Sequence, residues 1–119
     1  MQVCGKMNKR AVGSAYEKAA GVYLETQGYQ ILEHNYRCRM GEIDLIARHE
    51  GYLVFVEVKF RSTHTQGNAL EAVNRRKQTT IRRVAGHYLM SRHLPEDTPC
   101  RFDVVGITGE EMVLVKDGF

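Results

Sequence analysis

Two acidic residues and one lysine stand in apolar segments, where an unpaired charge is costly to bury. Glu57 and Lys59 lie in the run LVFVEVKFR, and Asp44 lies in GEIDLIA. Because burying an unpaired charge costs roughly several kcal/mol, these carboxylates require a nearby cation. A hard divalent ion such as Mg²⁺ or Mn²⁺ takes oxygen ligands of this kind. The pattern predicts a metal site with Lys59 at its rim, where the lysine would assist a water that attacks a phosphate.

The alternation of side chains across a strand predicts which charged groups meet. Glu57 and Lys59 share one face of their strand, and Glu42 and Asp44 share one face of the preceding strand. The two strands are close enough in sequence to form a hairpin, so their acidic faces would be adjacent.

The register of this hairpin decides which carboxylates converge. If Ala47 pairs with Tyr52, Glu42 lies opposite Glu57. Asp44 then joins them in a group of three carboxylates. A shift of two positions preserves this grouping, whereas a shift of one turns Asp44 to the other face. In the alternative interpretation, Glu57 and Lys59 form a solvated ion pair that contributes about 0–1 kcal/mol to stability and has no function.

Hydrophobic periodicity and turn residues predict two helices and five strands in the order αβββαββ. Helices are expected at residues 10–27, ended by Gly28, and at residues 68–91, where Asn68 caps the helix and Glu71 completes a capping box. The strands are expected at residues 29–37, 42–48, 52–60, 101–107 and 112–116. A polar loop is expected at residues 62–67. This order predicts an α/β domain with a mixed sheet flanked by two helices.

Length and composition limit the class of protein. The chain has 119 residues, 43% hydrophobic and 26% charged, which fits one domain over residues 1–119 with its core at about 10–116. Without an apolar run that could span a bilayer or act as a signal peptide, we expect a cytoplasmic protein with no membrane partner. The three cysteines and five histidines show no zinc-site spacing, so we expect reduced thiols and no zinc.

Arginines are concentrated where they could contact a phosphate backbone. The net charge is only +3, but residues 72–95 contain no acidic residue. Four arginines in this span form two pairs at a seven-residue helical spacing, and three more flank the motif strands. Such residues favour salt-sensitive, sequence-independent binding of nucleic acid, and the alternative is a solvated helix face. They are Arg37, Arg39, Arg61, Arg75, Arg76, Arg82 and Arg83.

The order of several segments resembles the PD-(D/E)XK nuclease superfamily, which includes restriction endonucleases and archaeal Holliday junction resolvases. Within it, the sequence is more similar still to the YraN-like family of small, largely uncharacterised bacterial proteins. The resemblance covers residues 13–107 and is carried by YEKAAGVYL, GYQILEHNYR, GEIDLIA, LVFVEVKFR and RFDVV. It implies a restriction endonuclease-like fold and a Mg²⁺-dependent endonuclease that acts on DNA.

The resemblance also implies roles for residues of the motif. Asp44 would be the motif aspartate, and Glu57 and Lys59 would be the (D/E)XK pair. The metal would be held by Asp44, Glu57 and the backbone carbonyl of Val58. The proline that gives the motif its name is replaced by Ile43, a departure that is common in the superfamily.

Further polar residues have an accessory role in this interpretation. Glu17 matches the acidic residue of the superfamily's first helix, and Glu42 would be an additional ligand; for each, the alternative is a solvated carboxylate. Lys77 and Gln78 could contact phosphate, although the stem of Lys77 could instead pack while its ammonium reaches water. Asp103 is expected to form a structural hydrogen bond rather than support the metal.

Three functions follow from these observations. The first is a metal-dependent nuclease that recognises the structure or ends of DNA rather than its sequence. The second is a nucleic-acid-binding module of the same fold without catalysis, and the third is a partner-binding domain without a nucleic-acid role. Cleavage of two strands would require a homodimer or a recruiting protein.

Overall fold

A computed structural model gives the architecture of the protein. It describes the backbone of residues 9–61, 73–109 and 111–119, and the side chains of residues 15–60, 73–109 and 111–119. The elements are α1 (Lys9–Thr26), β1 (Gln30–Cys38), β2 (Gly41–His49), β3 (Tyr52–Arg61), α2 (Arg75–Ser91), β4 (Cys100–Thr108) and β5 (Glu111–Val115). This is the predicted order αβββαββ of a restriction endonuclease-like fold. Among the described residues, neither helix is both long and apolar enough to cross a lipid bilayer.

The five strands form one mixed sheet in the spatial order β1-β2-β3-β4-β5. Neighbouring strands are antiparallel except β3 and β4, which run parallel. A parallel pair cannot be joined by a tight turn and needs a crossover, and α2 lies in the connection between these two strands. The position of α2 in the chain therefore explains the one parallel pair.

The alternation within β3 divides the core between the two helices. Val54 and Val56 pack in the cluster that contains Leu24 of α1, whereas Leu53 and Phe55 pack with residues of α2. All four strand residues are at most 1% exposed. The central strand is thus buried on both faces, as its nearly continuous apolar run predicts.

The β2–β3 hairpin has one of the registers that the sequence left open, two positions away from a pairing of Ala47 with Tyr52. His49, rather than Ala47, pairs with Tyr52. The connecting residues Glu50 and Gly51 have φ values of 53° and 86°. Positive φ at both central positions is typical of a two-residue turn whose twist matches that of the flanking strands. The tight turn explains the longer pairing, and a shift of two keeps the side chains of β3 on their predicted faces.

The second helix begins later than predicted. It starts at Arg75, and the side chain of Asn74 accepts a hydrogen bond from the backbone N–H of Lys77 at 2.8 Å. Asn74 is therefore the N-cap, and a helix that runs continuously from Asn68 is wrong. The predicted cap pair Asn68 and Glu71, and the predicted loop at residues 62–67, lie outside the described residues.

A buried polar network joins Tyr29, which directly precedes β1, to β2 and β4 near the β2–β3 turn. Asp103 is fully buried, and it accepts hydrogen bonds from the Tyr29 hydroxyl at 2.6 Å and from Arg101 at 2.8 and 2.9 Å. The backbone N–H of Asp117 donates to the same carboxylate at 2.9 Å. Arg101 also contacts Nδ1 of His49 at 2.8 Å. Asp103 thus has the structural role that was expected of it, and the network links the ends of three strands.

Candidate metal and phosphodiester site

The candidate site begins where regular pairing between β2 and β3 ends. The ladder of the two strands reaches Leu45 and Val56. Immediately beyond it, the Oδ2 atom of Asp44 accepts a hydrogen bond from the backbone N–H of Val58 at 2.8 Å. The side chain of Asp44 therefore satisfies a backbone donor that the strand ladder leaves, and this contact fixes the carboxylate beside β3.

The alternation of side chains between the two faces of the sheet is interrupted in β2 beside Asp44. Ile43 and Ile46 are three residues apart, yet both pack in the cluster on the α2 side of the sheet. The strict alternation from which a common face of Glu42 and Asp44 was predicted therefore does not hold between Ile43 and Ile46.

Three carboxylates converge from α1 and β2. Oxygen atoms of Glu17, Glu42 and Asp44 lie within 4.8 Å of one another, and all three side chains are half-buried. Burial raises the pKa of Glu17 to about 7, with further increases from its hydrogen bond to Asp44 and from the charge of Asp44. Asn35, at a φ of 53°, makes a hydrogen bond to Glu17 that acts in the opposite direction.

Glu57 joins this group from β3 through Asp44. Its side chain is 12% exposed. Burial raises the pKa of Glu57 to about 8, and the charge of Asp44 contributes to the increase. Lys77 of α2 opposes it, with Nζ at 3.5 Å from Oε2 of Glu57. Asp44 is thus shared between Glu57 on one side and the pair from α1 and β2 on the other.

The donor set fits a hard divalent cation. The raised pKa values of Glu17 and Glu57 have burial as their largest cause and interactions with Asp44 as a further cause, so a bound cation would favour the charged form of both carboxylates. All of the converging side-chain ligands are carboxylate oxygens, which Mg²⁺ and Mn²⁺ accept. The residues present therefore fit the predicted metal, and Asp44 interacts with both Glu17 and Glu57.

Lys59 lies two residues after Glu57 in β3, on the same side of the strand by alternation. It is partly buried and pairs with Gly106 of β4, which has no side chain to crowd that side of the sheet. Gln78, by contrast, donates from Nε2 to the carbonyl of Val73 at 2.7 Å. This contact secures the start of α2 and does not direct the amide to the carboxylates.

The predicted arginines occupy different environments. Arg39, Arg75, Arg76 and Arg83 are exposed. Arg37 is exposed too, and its Nε lies 3.5 Å from Oε2 of Glu42. The side chain of the seventh arginine, Arg61, lies outside the described residues.

Arg82 is separated from the other arginines of α2 by its contacts. Its guanidinium lies over the ring of Phe102 at 4.5 Å and near that of Phe119 at 6.0 Å. This cation–π contact attaches the helix to the sheet. The predicted pairing of Arg75 with Arg82 on one binding face is therefore weakened, since Arg82 already has an aromatic partner.

Gly41 brings the β1–β2 turn against α2. A Cβ atom at this position would lie 2.6 Å from Cγ2 of Thr80 and 3.4 Å from Cγ2 of Val84. Only glycine permits this approach without a shift of the neighbouring side chain. The contact places the turn that carries Arg39 beside the helix that carries Arg76 and Arg83.

Two parts of the site were missing or minor in the sequence interpretation. The hydrogen bond of Asn35 to Glu17 was not predicted from the sequence. Its only signal was the residue type, because asparagine is polar and readily adopts positive φ. Lys77 was expected to contact phosphate or water, and the structure gives it an ion pair with Glu57. Its spacing of four residues from Val73 and from Ile81 indicated the inward side of α2, but not the partner.

Comparisons with known proteins agree with the resemblance seen in the sequence. A family model described as "Uncharacterised protein family UPF0102" matches residues 16–107. A UPF0102 protein of Lachnoclostridium phytofermentans is 53% identical over 113 residues, covering 95% of this chain and 96% of that protein. A UPF0102 protein of Alkaliphilus oremlandii is 50% identical over 102 residues, covering 85% and 86% of the two chains. A Shewanella oneidensis relative is 45% identical over 108 residues, covering 91% and 98%. The chain therefore belongs to the uncharacterised protein family UPF0102, which is the YraN-like family.

Proposed function

We propose that the protein hydrolyses phosphodiester bonds of nucleic acid, with DNA favoured, in a reaction that requires Mg²⁺ or Mn²⁺. The observation that carries this proposal is the position of Asp44. Its carboxylate is fixed to the N–H of Val58 and is shared by Glu57 and Glu17. A group of half-buried carboxylates, one of them fixed by a backbone hydrogen bond, suits a cation that must also reach a phosphate.

Several groups of the site would bind the cation together. Asp44, Glu57 and the backbone carbonyl of Val58 would hold it, and Glu17 and Glu42 would complete its surroundings directly or through water. When bound, the cation would supply positive charge and Lewis acidity to a phosphodiester oxygen.

Lys59 has a different role in the proposed reaction. Its ammonium, on the same side of β3 as Glu57, would orient the attacking water and stabilise the negative charge that develops on the phosphate. A fixed cation is more effective in a partly buried site than in bulk water, because the effective dielectric constant is lower.

The exposed arginines support recognition of DNA structure or ends rather than sequence. Arg39, Arg76 and Arg83 lie on adjoining surfaces of the β1–β2 turn and α2. Contacts of arginine with phosphates position a duplex but carry no sequence information. We therefore propose selectivity for the geometry of the substrate.

Cleavage assays test this proposal directly. Labelled single-stranded, duplex, flap and four-way-junction DNAs, with matched RNAs, would be incubated with Mg²⁺ or Mn²⁺. We expect cleavage by the wild-type protein and by Glu25→Gln, an exposed control on α1. Cleavage should be lost in Glu57→Gln and Lys59→Met. Intact substrates in every wild-type lane would contradict a nuclease that acts without a partner.

A nucleic-acid-binding module without catalysis is the second candidate function. It is favoured by the Lys77–Glu57 ion pair, which compensates the buried carboxylate without a metal. In this case DNA binding would survive Glu57→Gln and would weaken when Arg76 and Arg83 are neutralised. Cleavage that Glu57→Gln abolishes would favour the nuclease, whereas binding without cleavage in both the wild-type protein and Glu57→Gln would favour the module.

A further inference from the structure

The ion pair between α2 and β3 links the start of a helix to the acidic site. Lys77 Nζ lies 3.5 Å from Oε2 of Glu57, and the two side chains are 48% and 12% exposed. This separation is longer than the 2.7–2.9 Å of a strong charge-assisted hydrogen bond. The lysine is thus the more hydrated partner of a mostly buried carboxylate.

The backbone around Lys77 is fastened although its side chain is exposed. Its backbone N–H donates to Oδ1 of Asn74 at 2.8 Å. Gln78, the next residue, ties its amide to the carbonyl of Val73 at 2.7 Å. The ammonium can therefore move by rotation of its own side chain while the first turn of α2 stays in place.

Glu57 cannot interact fully with the ammonium of Lys77 and with a divalent cation at the same time. The carboxylate that Lys77 contacts is also the one placed beside Asp44 for a divalent ion. A divalent cation at this position would repel the ammonium and would compensate Glu57 with a larger charge. Half of the lysine side chain is already exposed, so the displaced ammonium has a short path to solvent.

We propose that Lys77 is the counter-cation of Glu57 in the metal-free protein, and that metal binding releases its ammonium to contact the phosphodiester. This inference rests on the proposed function and assigns a regulatory role to a residue of the same site. It predicts that metal and DNA bind cooperatively, because the metal makes a phosphate ligand available. In the metal-free protein, the ammonium of Lys77 would stay paired with Glu57 and would not contact a phosphate.

The side chain of Lys77 can be observed directly by NMR. Reductive ¹³C-methylation retains the lysine charge, and Lys77→Arg would identify the Lys77 signal. We expect Mg²⁺ to move this signal toward its position in Glu57→Gln, while the signal of exposed Lys116 stays unchanged. If calorimetry shows that Mg²⁺ binds but the Lys77 signal does not move, this inference is overturned alone. If Mg²⁺ does not bind the wild-type protein, the proposed function is overturned with it.

DNA affinity gives a second, independent measurement. Ca²⁺ takes the same oxygen ligands and would replace Mg²⁺ in these titrations. Lys77→Met, which keeps an apolar stem, should weaken binding about three- to tenfold in Ca²⁺ and less than about twofold in EDTA. Arg76→Met, the matched loss of one neighbouring charge, should weaken binding equally in both. An equal loss for Lys77→Met in both conditions would overturn the release of its ammonium.

Discussion

The carboxylate of Asp44 accepts the backbone N–H of Val58 at 2.8 Å, so a side chain of β2 continues the pairing of β3 beyond the last regular pair of the ladder. One residue thereby serves the sheet and the acidic site together. Two substitutions at Asp44 can separate these roles.

Asp44→Asn and Asp44→Ala remove the same negative charge, but only asparagine can still accept the N–H of Val58. We expect the alanine variant to be less stable by about 1–3 kcal/mol, which is the penalty of a buried donor left unpaired. Both variants should lose Mg²⁺ binding. Urea denaturation in EDTA and calorimetry with Mg²⁺ measure the two effects. Equal stability of the variants would refute the contribution of this hydrogen bond to the fold.

The metal-free protein should become less stable as pH rises from about 5 to 8. Unfolded glutamates release their protons near pH 4.5, whereas the folded pKa values of Glu17 and Glu57 are raised to about 7 and about 8. In this window the folded state binds more protons than the unfolded state, so the free energy of unfolding falls with rising pH.

Urea denaturation across this pH range in EDTA measures the effect, with Glu57→Gln and Glu17→Gln as controls. Each variant should show a shallower decline than the wild-type protein, because one of the two protons is no longer involved. Mg²⁺ should stabilise the wild-type protein more at pH 8 than at pH 6. An identical pH slope in the wild-type protein and Glu57→Gln would rule out the raised pKa as its cause.

Asp103→Ala should be strongly destabilising, because it leaves the guanidinium of Arg101 buried without its carboxylate. We expect a loss of about 3–5 kcal/mol in the free energy of unfolding. Removal of both residues should cost less than the sum of the single variants, since the stranded charge is then absent. Mg²⁺ affinity of the folded molecules should stay within about twofold of wild type. A weakened metal site would mean that the network also positions the carboxylates.

The arginines of α2 should contribute to different properties, some to DNA binding and one to the stability of the fold. Arg76→Gln and Arg83→Gln should weaken DNA binding and reduce the slope of log affinity against log salt by about one phosphate contact each. Arg82→Gln should instead lower stability by about 0.5–1 kcal/mol through loss of its contact with Phe102. Fluorescence anisotropy over a salt series and thermal unfolding check the two outcomes. A salt slope reduced as much by Arg82→Gln would contradict this division.

Gly41→Ala should disturb the contact between the β1–β2 turn and α2. The added Cβ would lie 2.6 Å from Cγ2 of Thr80, so we expect a loss of about 1–3 kcal/mol in the free energy of unfolding. Thr80→Ser removes that methyl group and should partly restore stability in the double variant. Thermal unfolding of both single variants and the double variant measures the coupling. No restoration would assign the strain to the backbone of Gly41 instead.

Local periodicity predicted the elements and the sides of β3 correctly. The apolar run around Glu57 has the alternation of a strand buried on both faces, and Leu53 and Phe55 do pack on the side opposite to Val54 and Val56. The register of the hairpin was left open by the sequence, because it depends on positive φ values at Glu50 and Gly51 that composition does not fix.

Contacts between distant elements were less accessible from the sequence. The start of α2 was placed too early because the capping pattern of Asn68 and Glu71 was taken as the start, whereas the helix begins at Arg75 with Asn74 as its N-cap. The partner of Lys77 depends on this start and on the position of β3 beneath the helix. The approach of Glu17 to Asp44 likewise depends on how α1 packs on the sheet.

The network of Tyr29, Arg101 and Asp103 shares no residue with the acidic group, and it holds the residue that precedes β1 to β4 from within the protein. Folding therefore does not require a metal ion to hold this part of the sheet together. A chelator should empty the proposed site without unfolding the chain, and the supply of divalent cations could then regulate activity while the amount of folded protein stays constant.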